Sequence, residues 1–312
     1  MHAIGIDMSK DTFHAAFESL EVEVFANTEA GIHSFMRRLK DFEYKPEETR
    51  IGVEATGVYH LLLADRMRMK GWQIVVINPI LTSRLTKLSV RRVKTDKKDA
   101  LRIREGVLLE YGQLYTDTHE LLTLKILVQQ RQALAKMRSE CRQRIHAQIY
   151  KQRVLKDELP KTFQIMEKTL SKEIRKLEKQ MLTFEPEKQI LLRSIPGIGT
   201  LAASTLVAFV GDIQRFSSPE KLVAYIGLDC RVHESGTSIH GKGYISKRGN
   251  KYLRTILFSC ALIAKRYNPD LQTFFQKKIL EGKHHFKALC AVERKLIHVV
   301  YAVWKRGTPF VK

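Results

Sequence analysis

The stretch that decides the fold is AIGIDMSKDTFHAAFESLEVEVFANTEAGIHSFMRRLKDFEYKPEETRIGVE, residues 3–54. Its opening residues, 3–7, form a short apolar run that reads as a buried strand. TFHAAFES (12–19) and EVEVFAN (21–27) read as two further strands with a tight connection between them. From Glu29 to about Leu39 the spacing is helical, with Ile32, Phe35, Met36 and Leu39 on one face. RIGVE (50–54) is a fourth strand. The first and fourth strands both end on an acid, Asp7 and Glu54.

Working outward, Val58 to about Lys70 predicts a second helix, and QIVVIN (73–78) a fifth strand stopped by Pro79. A third helix lies in the basic segment VKTDKKDALRIR (93–104), which holds Asp96 and Asp99. Three strands followed by alternating helices and strands is the order of a ribonuclease H-like α/β fold. Such open sheets carry ligand sites at the carboxyl ends of strands. An acid after an apolar run is most often a turn or cap residue. Thr95-Asp96 also looks like a helix start, with Asp99 in its first turn. Yet an i, i+3 pair puts both carboxylates on one helical face. Together the four acids suggest a site for one or two Mg²⁺ ions, because two-metal phosphoryl transfer needs hard oxygen ligands that hold cations about 4 Å apart.

The charge balance points to the substrate. The 312 residues hold 54 Lys and Arg against 33 Asp and Glu, a net +21 that favours a polyanionic partner. The excess is dense around the acids: Arg84, Lys87, Arg91, Arg92, Lys94, Lys97, Lys98, Arg102 and Arg104. A run of this kind is usually a solvated face. Bracketing a metal site, it reads as a grip on nucleic-acid backbone. Cys141, Cys230, Cys260 and Cys290 form no C-x-x-C pair, which gives no support to a structural zinc site and suggests reduced thiols in a cytoplasmic setting. No apolar run approaches the roughly 20 residues of a membrane span.

Length suggests more than one domain. The boundaries expected are 1–117 for the α/β domain, 118–186 for a helical arm, and 187–312 for a mostly helical C-terminal domain. In the arm, Leu134, Met137, Cys141, Ile145 and Ile149 recur at helical steps, as do Ile165, Leu170, Ile174, Leu177 and Met181. Such thin stripes fit a coiled coil between copies of the chain, and equally an internal helical hairpin. SIPGIG (194–199) opens a helix with Gly197 and Gly199. It resembles the turn of a helix–hairpin–helix motif, whose backbone N–H groups bind phosphate, or is an ordinary glycine turn. RVHESGTSIHGKGYISKRGN (231–250) is glycine-rich and basic, with Lys242, Lys247 and Arg248, and Lys251 and Arg254 just beyond. It offers the hydroxyls of Ser235, Thr237, Ser238 and Ser246, each of which is more often a turn former when taken singly. A serine that attacks phosphorus would conserve the bond energy for rejoining.

IGIDMSK, IGVEATGVY, VINP, KTDKKDA, SIPGIG, AYIGLDCRVHESGTSIHGKG, SKRGNKYLR and KRGTPF, in this order, resemble the IS110-family transposases nearly end to end. The resemblance implies a RuvC-like N-terminal domain whose DEDD acids fall on Asp7, Glu54, Asp96 and Asp99. It implies a C-terminal transposase domain whose nucleophilic serine falls on Ser235. It further implies covalent serine–DNA recombination of donor and target DNA, a structured noncoding bridge RNA as guide, and homodimers or homotetramers. In these, the RuvC-like domain of one protomer completes a site with the transposase domain of another. A prokaryotic cytoplasmic location, on the nucleoid when DNA is bound, goes with that. The rivals are a RuvC-like endonuclease using metal-activated water, with Ser235 structural, and a non-enzymatic nucleic-acid-binding scaffold. His233 or His240 could serve the serine as a base, though a loop histidine is more often a phosphate contact.

Overall fold

The computed structural model describes residues 1–311 apart from 56, 80, 83–94, 156–159, 232–233, 236–238 and 241–243. Arg84, Lys87, Arg91, Arg92, Lys94 and Lys242 therefore lie outside the described residues, as do His233, Thr237 and Ser238. The chain divides into two compact units, Met1–Asp117 and Thr118–Lys312.

The first unit is built on β1 (His2–Met8), β2 (Thr12–Ala16), β3 (Val22–Ala26), β4 (Thr49–Glu54), β5 (Gln73–Ile77) and β6 (Gln113–Leu114). These form one sheet in the order β3-β2-β1-β4-β5-β6. β1, β4 and β5 are parallel neighbours, while β2, β3 and β6 run antiparallel to their partners. A mixed sheet of this order fits a RuvC-like domain. β6 is an edge strand that its two residues do not announce in the sequence.

Alternation along the strands separates two faces. Ile4, Ile6, Ile51, Val53 and Ile74 are buried in one core with Ile32, Phe35 and Leu39 of α1 (Glu29–Asp41) and Leu63 and Met67 of α2 (Leu61–Met69). Thr28 caps α1 by accepting from the Gly31 N–H at 3.2 Å. The other face carries α3 (Asp96–Leu108), whose Ile103 and Val107 pack with Ala3 and Ile77.

In the second unit α4 (His119–Leu155) and α5 (Thr162–Met181) form a hairpin. Arg131 pairs with Glu178 at 2.7 Å and Arg142 with Glu167 at 2.8 Å. One partner advances along α4 as the other retreats along α5, so the helices are antiparallel. The internal hairpin, one of the two forms open at the sequence level, is what the single chain makes. Cys141 and Ile174 are buried, whereas Met137, Ile149 and Ile165 of the expected stripes are 53%, 44% and 64% exposed. Leu124, Val128 and Met181 root the hairpin in the C-terminal core.

That core is helical: α6 (Pro186–Arg193), α7 (Thr200–Val210), α8 (Pro219–Ile226), α9 (Lys251–Tyr267), α10 (Pro269–Leu280) and α11 (His285–Arg306). α7 is buried from Ala202 to Val210, as its unbroken apolar sequence requires. Among the described residues no helix is long and apolar enough to cross a membrane.

Candidate active site

Two glycines set the geometry of the acids. Gly5 of β1 and Gly52 of β4 are paired across the parallel ladder. A Cβ on Gly5 would lie 2.2 Å from both the Ala100 carbonyl oxygen and the Arg104 nitrogen. One on Gly52 would lie 2.3 Å from Val107 Cγ2. The absent side chains let α3 lie directly on the sheet. Arg104 Nε fastens it there by donating to the Ala3 carbonyl at 3.1 Å.

Asp7 and Glu54 stand two residues beyond these glycines and so point to the same face as α3. Ile6 pairs with Val53, so Asp7 and Glu54 are the next step of the ladder, side by side at the strand ends. α3 runs back along β1, with Ala100 and Arg104 over Gly5, so its first turn lies towards Asp7. That turn carries Asp96 and Asp99. Thr95 caps it, accepting from the Lys98 N–H at 3.4 Å. The helix-start role and the placement of acids near the strand ends thus coexist. Four residues from three elements are brought to one end of one sheet face.

Their side-chain partners are specific. Thr82 donates its hydroxyl to Glu54 at 2.8 Å. Arg102 Nη1 holds Asp99 at 2.6 Å. Asp7, Glu54 and Asp99 are half-buried and Asp96 is exposed. Among the described residues no three His, Cys, Asp or Glu side chains converge into a closed metal cluster. The donor set is all hard oxygen, which suits a divalent cation. Of the neighbouring cations, Lys97 and Lys98 are exposed, while Arg102 and Arg104 are engaged within the domain.

The serine region has a different construction. β7 (Cys230–Arg231) pairs antiparallel with β10 (Tyr244–Ile245), and β8 (Glu234–Ser235) with β9 (Ile239–His240) nested inside. Ser235 thus sits opposite Ile239 on the inner ladder; its side chain lies outside the described atoms. Below the outer ladder the two arms are tied. The Ser246 N–H donates to the Asp229 carbonyl at 2.8 Å and the Ser246 hydroxyl to the Asp229 carboxylate. The Lys247 N–H donates to the Gly227 carbonyl at 3.1 Å. Gly249 presses so closely on the other arm that a Cβ would lie 2.1 Å from the Tyr225 oxygen.

Arg254 spans the tie. Its Nη1 donates to the Ile226 carbonyl at 2.9 Å and to the Gly249 carbonyl at 2.6 Å. Read from the sequence as a nucleic-acid contact, it is engaged in joining the two arms. The group beneath it is one the sequence did not single out. Glu293 of α11 is 2% exposed, and burial pushes its carboxyl up to about 8 against the pull of the Arg254 charge. Its Oε1 has no hydrogen-bond partner among the described residues. The only signal in sequence is an acid on the apolar stripe of α11.

The SIPGIG turn joins α6 to α7. Gly197 has φ +96°, and a Cβ there would meet Ala264 of α9 at 2.7 Å, so close helix packing accounts for it. Gly199 caps α7 with open space around its Cβ position. Lys247, Arg248 and Lys251 are exposed.

Comparison with known proteins gives these features a setting. The family model for DEDD transposases of the IS110 type matches residues 4–154, and that of the transposase IS116/IS110/IS902 family matches 189–276. The pilin gene-inverting protein of Moraxella lacunata is 30% identical over 99% of this chain and 97% of its own length. The transposase for insertion sequence element IS1111A of Coxiella burnetii is 36% identical over 37% of this chain and 32% of its own. A putative transposase of Sinorhizobium fredii is 28% identical over 86% of this chain and 73% of its own. A DEDD domain implies dependence on a divalent metal, and a transposase acts on DNA. The chain belongs to the IS110 family of transposases, and its activity is that of a DNA transposase and recombinase.

Proposed function

We propose that the chain is an RNA-guided site-specific recombinase that cuts and rejoins DNA through a phosphoserine link. The observation that carries it is the in-register pair Asp7 and Glu54 on the sheet face covered by the Asp96–Asp99 helix. Asp7, Glu54, Asp96 and Asp99 would hold Mg²⁺, which when bound stabilises negative charge on the reacting phosphate. Ser235 attacks phosphorus. A bond forms from its Oγ as the strand P–O bond breaks; the serine proton passes to a base and the leaving oxygen is released. Reversal on another strand rejoins DNA without a nucleotide cofactor. Lys97, Lys98, Lys247, Arg248 and Lys251, with the six cations outside the described residues, hold nucleic-acid backbone. Gly199, with Gly197, offers backbone N–H groups to a phosphate. A structured bridge RNA selects donor and target. The protein acts as a homodimer or homotetramer, in the cytoplasm and on the nucleoid.

One experiment tests this. Protein, Mg²⁺, guide RNA and labelled donor DNA are mixed, and a denaturant-resistant protein–DNA adduct is sought. The adduct is expected with the native chain and lost in both Ser235→Ala and Asp7→Ala. Cleavage without an adduct, unchanged by Ser235→Ala, would establish hydrolysis by metal-activated water in its place. No cleavage under any divalent metal would leave a scaffold.

A further inference from the structure

One corner of the C-terminal unit has no part in the site described above. There the end of α10 turns into the start of α11 beside the middle of α9. The segment FFQKKILEGKHHFK (274–287) holds four lysines against one glutamate. That glutamate, Glu281, is already held by Lys278 at 2.9 Å and Lys283 at 3.3 Å.

Aromatic rings are set among these cations. Phe286 is 61% exposed, an unusual place for so large an apolar ring. On one side it stacks on Phe258 of α9, centroids 6.3 Å apart at 23°. It also stacks with His284, 5.6 Å away at 25°. His285 meets Phe286 edge-on at 5.9 Å and Phe275 at 5.2 Å. Lys265 lies 4.1 Å from the Phe275 ring centre and 3.4 Å from the His285 ring nitrogen. Phe286 is thus near-parallel to both His284 and Phe258; His284 and Phe286 are exposed and Phe258 is half-buried.

We infer that this corner is a stacking platform for an unpaired DNA strand. Rings stack on nucleobases whatever their identity, and lysines alongside neutralise the phosphates that follow. Bases in a duplex are stacked on each other and offer the platform no face. A recombinase must handle unpaired DNA, because a strand rejoined to a new partner has to leave its old complement. The positive charge of the corner excludes basic partners of its own sign and suits this polyanion.

The test uses the full-length chain, fluorescein-labelled oligo(dA), a duplex of the same length, and oligo(A) RNA, read by anisotropy across a salt series. Phe286→Ala is expected to weaken oligo(dA) binding roughly tenfold, the worth of a lost base–ring stack. Duplex binding should change less than about twofold on the same grounds. Phe286→Trp should restore the affinity. Lys287→Ala should weaken both DNA forms and reduce the salt slope by about one. Phe286 is exposed, so Phe286→Ala should keep the native melting temperature; if it does not, Phe286→Trp and Lys287→Ala decide. Equal losses for strand and duplex, no loss for either, or a loss confined to RNA would overturn the proposal.

Discussion

The acid end of the sheet and the serine hairpin achieve placement by opposite means. The acids ride on two parallel strands and a helix, and two absent side chains, at Gly5 and Gly52, fix how those elements meet. The serine rides on two-residue ladders, and its fixed point is outside them, where Asp229, Ser246, Gly249 and Arg254 join the arms. Metal ligands need positions fixed to a fraction of an ångström, which rigid regular elements supply. A loop-borne group needs only its base held. The comparison breaks first at the acids. Asp7→Asn or Glu54→Gln should lower single-turnover DNA cleavage roughly a thousandfold by removing charge that the metal requires, with the fold unchanged by circular dichroism. A drop of less than tenfold in both would remove the acids from the chemistry.

The neck, where Asp229, Ser246, Gly249 and Arg254 join the two arms, comes next. Arg254→Lys keeps the charge and loses the guanidinium Nη1 that reaches two carbonyls. It should cost about 1.5–3 kcal/mol in urea unfolding of the C-terminal unit, the range for hydrogen bonds made by a charged donor. Faster amide exchange across residues 229–250 should accompany it. In Arg254→Ala, which removes the charge, the salt dependence of DNA binding should not move; a slope reduced by about one would make Arg254 a phosphate contact after all. Gly5→Ala tests the other half. Its Cβ collides with backbone, not with a side chain that can swing away, so overpacking of about 1–3 kcal/mol is expected in the N-terminal unit, with slower cleavage. Gly199→Ala, with nothing within 4 Å, should change stability by about 0.5 kcal/mol or less.

These contrasts also mark what the sequence discloses. The acid end was legible because it is written in local patterns: strands of period two, an acid at each strand end, and an i, i+3 pair after a Thr cap. The glycines two residues before Asp7 and Glu54 carried the packing signal, visible once the strands are laid in register. The turn at Gly197 was less legible. Its nearest obstacle, Ala264, is far along the chain, so phosphate binding and helix packing look alike in sequence. Arg254 was opaque for a similar reason. In a chain of +21 every arginine resembles a phosphate ligand, and the carbonyls of Ile226 and Gly249 that occupy it carry no side-chain signature. The arm left two forms open because a thin stripe fits a partner helix from the same chain or from another.

Glu293 gives the finest test of the neck. Its carboxyl is raised from 4.5 to about 8 by burial, with the Arg254 charge opposing. Cys260 faces the same region, and burial holds its thiol up to about 12, so it stays protonated throughout. Below pH 4.5 both folded and unfolded chains carry the Glu293 proton, and its contribution is fully present. Between 4.5 and 8 only the folded chain keeps the proton, so stability falls as pH rises, by at most about 1.4 kcal/mol per unit; above 8 the loss is complete. Comparing urea midpoints at pH 6 and pH 7 should therefore show a decline of about 1 kcal/mol from this group. Glu293→Gln removes the titration and should flatten that segment. A native chain already flat between these values would mean that Glu293 is ionised against Arg254. The neck would then be closed by a buried ion pair, and Arg254→Lys, which keeps the charge, should prove far milder than the loss of two carbonyl bonds requires.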